Sequence, residues 1–285
     1  MNIWEFLSIF SRFQKITLED FKNLSHVTDI YDFNRYPHHY FSESICANLN
    51  ASWFDEILRQ YELMQKQEIT LLHPFHKDYP QEFLTLEKPP LYLSVKGDCS
   101  ALTKKRVSVV GSRHPSVRVL EWMDIHLTPL VQTGAVLVSG AARGVDQRAH
   151  LICLRQSQPT IAFLPSGFLQ VYPKDFQKWI PEILKTGGLI LSEYLPNQAI
   201  HPHHFHERNR MIAKLGFFLL VCEARRKSGS IMTARLAIEN SKTVCVLPSF
   251  PSESSNQGCL DLLFQGAFPI RDFQDLQTLT VPNHA

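Results

Sequence analysis

Two short stretches of the chain repeat one design. Each has an apolar, β-rich run, then a turn of glycine and serine with an arginine, and then a helical pattern; they are residues 107–113 (VSVVGSR) and 136–146 (VLVSGAARGVD). A strand that ends in such a turn before a helix is typical of α/β proteins with a parallel sheet. Backbone N–H groups of the turn and the positive end of the following helix favour an anion, most often a phosphate. The repeated design therefore predicts an α/β fold that holds a phosphate-bearing ligand.

Apolar runs and helical patterns alternate through the rest of this region. We predict strands at 107–110, 136–139, 160–164, 189–192, 217–222 and 243–247, and helices near 116–132, 145–156, 175–185, 207–214 and 229–240, with a last helix and strand within 257–270. Several strands are apolar throughout, as in a sheet that helices cover on both faces. The predicted fold class is α/β, an extended Rossmann-like, doubly wound and mostly parallel sheet.

The first part of the chain has a different pattern. Residues 1–70 predict a small helical domain, with helices near 3–13, 17–25 and 52–67 and no clear prediction for 36–40. Residues 71–105 are punctuated by prolines and carry aromatic residues, and we interpret them as a connector that packs on the core and holds a strand at 91–95. The Rossmann-like domain is then expected at 106–272, followed by a tail at 273–285.

Charge is distributed unevenly. The net charge is only +2, but residues 101–150 hold 7 Lys and Arg against 3 Asp and Glu, and residues 201–243 hold 8 against 3, whereas residues 1–77 hold 7 against 10. A local basic surplus, and not the total, marks a surface for a polyanion. The surplus coincides with the glycine turns and favours a nucleic acid as ligand.

Cysteine usage and hydropathy indicate the compartment. The six cysteines are scattered without the spacing of a metal site, which favours a reduced, cytoplasmic setting. Glu5 and Arg12 interrupt the apolar N-terminus, so we interpret it as an amphipathic helix and not as a signal peptide. No apolar run approaches the roughly 18 residues of a membrane span, and no membrane association is expected.

Glycine, hydroxyl and basic side chains follow several of the predicted strands. Because the carboxyl ends of parallel strands share one edge of the sheet, we expect these residues to meet there. Arg208 and Arg210 diverge on a helix, so one is expected at the ligand and the other in an ion pair. The predicted anion-binding residues are Gly111, Ser112, Arg113, Ser139, Gly140, Arg143, Gly144, Lys174, Arg208, Asn209, Arg210, Lys227, Ser228, Gly229 and Ser230.

Two polar groups have competing interpretations. Asp146 and His150 share a helix face and suit an acid–base pair, but without a matching nucleophile we favour an aspartate that bonds turn amides at a helix N-terminus. The histidines within 201–206 invite a zinc hypothesis, yet their spacing matches no standard site, so we interpret them as part of the wall of the ligand site. No metal and no cofactor are predicted.

Three aromatic residues near the predicted site remain ambiguous. Phe168, Tyr172 and Phe205 suit base stacking and equally suit a buried position. The chain has no GxSxG elbow, no HExxH, no GxGxxG fingerprint and no Walker loop. A site rich in phosphate donors and poor in reactive groups favours binding over catalysis, and we do not expect an enzyme.

These motifs resemble the DNA-processing protein A (DprA/Smf) family. The resemblance covers residues 75–270 and includes Asp78-Tyr-Pro, Pro89-Pro-Leu-Tyr, Val109-Val-Gly-Ser-Arg113, Ser139-Gly-x-x-Arg-Gly-x-Asp146, Ser192-Glu-Tyr, Arg208-Asn-Arg210 and Ser228-Gly-Ser. It implies a Rossmann-like protein that binds single-stranded DNA, forms a homodimer, and helps to load the RecA recombinase in natural transformation, without turnover. The DNA-binding positions that it implies are Gly111, Ser112, Arg113, Ser139, Gly140, Lys174, Arg208, Arg210 and residues 227–230. Residues 1–70 weakly resemble the family's SAM-like N-terminal domain.

The chain departs from the family pattern at several positions. Pro165 and Gln170 replace the usual residues around the strand at 160–164, and the chain ends without the winged-helix-like domain that many members carry.

An alternative function is that of a Rossmann-type nucleotide-binding enzyme or sensor, similar to the phosphoribohydrolases. Their Pro-Gly-Gly-x-Gly-Thr run with a nearby glutamate is matched only poorly by residues 228–230 with Glu223.

Overall fold

The strands of this protein form a single mixed sheet. A computed structural model describes residues 1–280, within which nine strands pair in the order β1-β2-β6-β5-β4-β3-β7-β8-β9. They are β1 (Thr70–Leu72), β2 (Leu93–Gly97), β3 (Arg106–Val110), β4 (Val136–Gly140), β5 (Thr160–Leu164), β6 (Leu189–Ser192), β7 (Phe218–Val221), β8 (Thr243–Val246) and β9 (Phe268–Pro269). The strands from β6 to β9 in this order are parallel. At one end β2 pairs antiparallel with β6, and β1 pairs antiparallel with β2. The predicted fold class is therefore confirmed.

Helices connect the strands and precede the sheet. They are α1 (Ile3–Phe10), α2 (Leu18–Asn23), α3 (Tyr31–Arg35), α4 (Pro37–Tyr40), α5 (Glu43–Cys46), α6 (Trp53–Lys66), α7 (Val117–Gln132), α8 (Val145–Arg155), α9 (Ile180–Lys185), α10 (His204–Leu215), α11 (Gly229–Glu239), α12 (Gln257–Phe264) and α13 (Phe273–Thr280). Short 3-10 turns occupy 24–26, 81–85, 99–103, 174–179 and 254–256. None of the helices within residues 1–280 is both long enough and apolar enough to cross a lipid bilayer.

The sheet is buried on both faces because its central strands are apolar throughout. On one face α7, α8 and α13 pack through buried side chains such as Leu127, Ile152 and Leu276. On the other face α10, α11 and α12 pack through Met211, Ala234 and their neighbours. Helices on both faces of a parallel sheet make the doubly wound arrangement that the apolar runs predict.

The N-terminal helices share a core with the sheet. Phe6 and Phe10 of α1 stack with one another, and Phe6 also stacks on Phe33 with ring centroids 5.1 Å apart. The same apolar cluster includes Leu164 of β5 and Ile190 of β6, so the helical region is continuous with the sheet through its side chains. A capping box starts α2, with the Thr17 hydroxyl accepting from the backbone N–H of Asp20.

Two segments outside the predicted Rossmann-like domain take part in the sheet and its packing. The predicted connector at 71–105 contributes most of β1 and all of β2, and β2 pairs antiparallel with β6 across Val95 and Leu191. The first part of the predicted tail at 273–285 forms α13, whose Leu276 is fully buried against α7, while residues 281–285 lie outside the described residues. Tertiary pairing, which local sequence does not reveal, recruits both segments into the sheet domain. The division of the chain at residues 70, 105 and 272 stays a prediction.

Candidate functional site

A groove lies at the carboxyl edge of the sheet, where the strand order reverses. β3 has β4 on one side and β7 on the other, and ligands of doubly wound folds bind at such a switch point. The turns after these three strands, together with the start of α10, line the groove. It has two adjoining parts of about 320 Å³ each, which share Arg113, Phe205 and Arg208. The sequence-predicted residues are therefore largely brought together.

The turn after β3 is held tightly from both sides. A Cβ on Gly111 would lie 2.6 Å from the Val145 side chain, so only glycine fits against the start of α8. The carbonyl of Gly111 accepts from the Ser230 hydroxyl at 2.8 Å, and the carbonyl of Ser112 accepts from the Val145 N–H at 3.1 Å. The turn is thus fixed between the N-termini of α8 and α11. Arg113 is left exposed at the groove, beside the Ser112 hydroxyl, which accepts from His114 N–H.

Two buried polar side chains, Ser139 and Asp146, flank the turn after β4. The Ser139 hydroxyl donates to the carbonyl of Val109 at 2.6 Å. Burial raises the pKa of Asp146 to about 6, while the nearby Arg208 guanidinium acts in the opposite direction. Asp146 lies buried in the first turn of α8, and the group that the turn after β4 presents to the groove is the exposed Arg143 side chain.

His150 is not available for proton transfer at the surface. Both ring nitrogens are bonded, Nε2 to the carbonyl of Gly140 and Nδ1 to the Thr160 hydroxyl, each at 2.7 Å. Burial lowers the pKa of His150 to about 4, so the ring is neutral at physiological pH. In that form Nε2–H donates to the carbonyl of Gly140. The Thr160 hydroxyl also lies 2.8 Å from the carbonyl of Leu137, so its one proton serves either that carbonyl or Nδ1. The catalytic-pair interpretation of Asp146 and His150 therefore has no support in the geometry.

Arg208 and Arg210 face different surfaces, as their spacing predicts. Arg208 is buried beneath the groove, where it donates to the carbonyl of Phe163 at 3.1 Å and lies against Gly140, whose absent Cβ leaves room for the guanidinium. Desolvation lowers the pKa of Arg208, and Asp146 counteracts this effect. Arg210 instead pairs with Glu193 and donates to the carbonyl of Lys88 at 2.7 Å, in a separate cavity. The structure thus places Arg208 and Asn209, but not Arg210, at the groove.

Unpaired positive charge lines the length of the groove. Within residues 1–280, no carboxylate lies within 4.0 Å of the basic groups of Arg113, Lys174, Arg225 and Lys227. Arg143 is exposed but pairs with Asp175 at 2.9 Å. Such charges interact with an anionic ligand without first giving up an internal partner.

Arg225 is absent from the residues predicted from sequence, although it lines the groove beside Lys227. Its neighbour Arg226 pairs with Asp261 at 2.8 Å and does not line the groove. The run of basic residues at 225–227 is the feature of the sequence that could have identified Arg225 as a groove residue. Local sequence could not separate the two arginines, because Asp261 lies 35 residues further along the chain.

Two of the three ambiguous aromatic residues border the groove. Tyr172 and Phe205 pack edge to face with ring centroids 5.9 Å apart, and the Arg113 guanidinium lies 5.4 Å from the Phe205 centroid. Phe168 is buried in the core that the N-terminal helices share. A cation next to exposed aromatic rings suits a ligand with alternating phosphates and flat bases.

The start of α11 forms the far end of the groove. Ser228 caps the helix by accepting from the Ile231 N–H at 3.4 Å, and Gly229 has open space where a Cβ would stand. The positive end of this helix adds to the charge of Lys227. Glu223, the glutamate of the alternative hydrolase interpretation, is buried and accepts from the Ser116 N–H at 3.1 Å, so it serves the start of α7.

Comparison with known proteins identifies the family. The sequence model of the family described as DNA recombination-mediator protein A matches residues 70–280. The chain belongs to this family. It is 35% identical over 224 residues to Protein Smf of Synechocystis, and 29% identical over 226 residues to DNA processing protein DprA of Bacillus subtilis. These segments are 77% and 79% of this chain, and they span 54% of the Synechocystis protein and 75% of the Bacillus protein.

Solved structures of the family have the same fold. DNA processing protein A of Streptococcus pneumoniae superposes with a TM-score of 0.78 at 27% identity, over 98% of both chains. DNA processing protein A of Helicobacter pylori, whose structure was described for its single-stranded DNA binding mode, superposes with a TM-score of 0.67 at 33% identity, over 74% of this chain and 95% of that one. The resemblance that the motifs indicate is therefore confirmed at the level of family and fold.

Proposed function

We propose that the groove binds single-stranded DNA. The observation that carries this proposal is the row of basic side chains without carboxylate partners, which runs from Lys174 past Arg113 to Lys227 and passes the Tyr172 and Phe205 rings. Several cations spread along two adjoining parts of a groove exceed what one mononucleotide needs. Phosphates would contact the cations and helix N-termini, while bases would stack on the rings without sequence preference.

The family supports the choice of a single strand. The Helicobacter relative is described as binding single-stranded DNA, and it is 33% identical to this chain. In a duplex the bases are already stacked and paired, so they cannot lie on Tyr172 and Phe205 without unstacking. We therefore propose a preference for single strands over duplexes.

We further propose a role in DNA processing during transformation and recombination. The family description is that of a recombination mediator, which supports a protein that holds single-stranded DNA in the cytoplasm and helps a RecA-type recombinase to load on it. The relatives named as DNA processing proteins support the same role. In this proposal the protein acts by binding, as a homodimer and without catalytic turnover. Faster RecA filament growth on strands coated with single-strand-binding protein would test the loading step.

The binding proposal is tested by a salt titration with a labelled oligonucleotide. We expect tighter binding of a single strand than of a duplex, and a log affinity that falls linearly with log salt by about 0.7 per phosphate contacted. Arg113→Ala should weaken binding of all sequences alike and reduce the salt slope by about one contact. Fluorescence anisotropy at several salt concentrations measures both quantities.

Arg226→Ala provides the matched control for Arg113→Ala. Arg226 is an exposed arginine that pairs with Asp261 outside the groove, so its removal should leave the affinity and the slope close to those of wild type. A flat salt response with a free mononucleotide as the tightest ligand would favour the nucleotide enzyme or sensor. Equal losses in the two variants would show general charge attraction and contradict a defined groove.

A further inference from the structure

Three side chains at the start of α10 converge outside the DNA groove. One nitrogen each of His203 and His204 and one carboxylate oxygen of Glu207 all lie within 4.8 Å of one another. Imidazole nitrogen and carboxylate oxygen are the ligands that zinc and similar divalent ions take in sites with an open position. The spacing of these residues matches no standard zinc pattern, and only the fold shows that Glu207, one turn along α10, converges with the two histidines.

The neighbours of these groups orient them as ligands. Nδ1 of His204 lies 3.1 Å from the carbonyl oxygen of Pro165 and 3.2 Å from the backbone nitrogen of His201, and it can serve only one of these hydrogen bonds at a time. The tautomer in which Nδ1–H donates to Pro165 leaves the Nε2 lone pair available. The His204 ring also stacks on Tyr194 with centroids 3.9 Å apart, and the Tyr194 hydroxyl donates to Glu207 at 2.8 Å. A metal-bound histidine commonly donates its other ring N–H to a carbonyl, and a metal-bound carboxylate commonly accepts a hydrogen bond. The required orientation therefore exists before any ion arrives.

An unsatisfied carboxylate supplies an independent indication. His203 and Glu207 line a cavity of about 800 Å³, which Glu193 also lines. Glu193 is 7% exposed, and its second oxygen has no hydrogen-bond partner. Its first oxygen pairs with Arg210, whose charge balances that of the carboxylate, and its second oxygen is left without a hydrogen-bond donor among the described residues. A polar group or an ion that enters the cavity would supply the missing partner.

We propose that His203, His204 and Glu207 bind a zinc-class divalent metal ion, with an open coordination position toward this cavity. Glu193, which pairs with Arg210 on the cavity wall, is not a ligand. The ion would join the loop before α10 to the first turn of that helix. Because α10 also carries Phe205 and Arg208, the ion would fix the segment that contributes both residues to the groove.

The test uses the full chain without an affinity tag, stripped with EDTA and titrated with Zn²⁺ and Co²⁺. Calorimetry should find one Zn²⁺ bound per chain, and Co²⁺ should give visible d–d absorption without a thiolate charge-transfer band, which excludes the cysteines as ligands. His203→Asn and Glu207→Gln should each weaken Zn²⁺ binding by at least about tenfold. His203 is exposed, and glutamine still accepts from Tyr194, so both variants should fold.

His206→Asn is the matched control, since His206 is exposed on the same helical turn but is not one of the three converging groups. It should bind Zn²⁺ as wild type does, and thermal unfolding in EDTA should be the same for all four proteins. Absence of Zn²⁺ binding in wild type would overturn the proposal, as would wild-type affinity in both His203→Asn and Glu207→Gln. A loss in His206→Asn as large as theirs would also overturn it. No DNA enters this experiment, so its result is independent of the proposed DNA binding.

Discussion

At the scale of single residues, burial decides what each charged group does. Arg208 and Arg113 belong to one groove, but Arg208 is buried against Asp146 and the strand ends, whereas Arg113 is exposed. A buried arginine with fixed partners shapes the floor of a site, and truncating it leaves an unpaired buried carboxylate. An exposed arginine is the better probe of ligand binding, because its removal leaves the fold intact.

Burial of His150 also predicts a pH dependence of stability. Its pKa is lowered from 6.5 to about 4, so its contribution to stability is fully present above pH 6.5 and is lost as the pH falls through 4. As the pH falls, His150 is protonated in the unfolded chain before it is protonated in the folded protein. The free energy of unfolding therefore falls by about 3 kcal/mol between pH 7 and pH 4 because of this group. In His150→Gln, the difference in the free energy of unfolding between these two pH values should shrink by that amount.

Urea unfolding at both pH values measures this difference for wild type and His150→Gln. His206→Gln serves as the control, since His206 is exposed and its replacement should leave the pH dependence unchanged. If His150→Gln and wild type lost equal stability between pH 7 and pH 4, the neutral buried state assigned to His150 would be wrong.

At the scale of elements, apolar runs predict most of the parallel strands, and the strand predicted at 91–95 corresponds to β2 (Leu93–Gly97), but they do not predict β1 or the pairing of β2. The predicted strands at 136–139 and 160–164 agree with β4 and β5 within one residue, because a buried strand must be apolar along its length. β1 has three residues and too short a pattern to recognise. The pairing of β2 with β6 joins residues nearly one hundred positions apart, which no local signal reveals.

The N-terminal helices show the same limit. α3, α4 and α5 have four or five residues each, so they carry no helical periodicity, and packing of Phe33 and Phe41 in the aromatic core holds them.

The functional site is likewise predicted only in part from local sequence. Glycine turns and basic runs predict the edge of the sheet at which the ligand lies, but only tertiary contacts distinguish Arg208 from Arg210 and Arg225 from Arg226.

The contact between two turns predicts an unequal response to two glycine substitutions. Gly144 has φ +82° and ψ −124°, a conformation that favours glycine, and its Cβ would meet the backbone carbonyls of Ser112 and Arg113. Gly187 has φ +73° with open space around it. Gly187→Ala should cost about 1 kcal/mol, and Gly144→Ala should cost about 1–3 kcal/mol more because the backbone of the β3 turn must move.

Urea unfolding gives the two stability losses, and anisotropy gives the affinity for single-stranded DNA. Gly144→Ala should also weaken DNA binding, since it displaces the turn that carries Arg113, whereas Gly187→Ala should not. Equal stability losses in both variants would show that the contact between the two turns contributes little. Unchanged DNA affinity in a folded Gly144→Ala protein would show that the position of this turn does not affect DNA binding in the groove.

At the scale of the whole molecule, the two ends of the sheet differ. The N-terminal helices pack near the β1 end through the core that they share with β5 and β6. At the other end, β9 is an edge strand, Phe268 on it is 55% exposed, and Phe264 of the preceding helix is 93% exposed. An open edge with exposed phenylalanines favours association with another chain. A second copy offers the same edge, and a two-fold axis would pair the two antiparallel.

The homodimer that we propose should therefore be broken by a charge at this edge. Phe264→Asp should convert the dimer to a monomer at micromolar protein concentration, because a carboxylate would be buried against its own symmetry mate. Light scattering coupled to size-exclusion chromatography over a range of concentrations gives the mass directly. Tyr31→Asp is the control, since Tyr31 is 49% exposed on the N-terminal helices, near the other end of the sheet, and should leave the mass unchanged. A monomeric wild type would contradict the homodimer, and a dimer that survives Phe264→Asp would place the interface elsewhere.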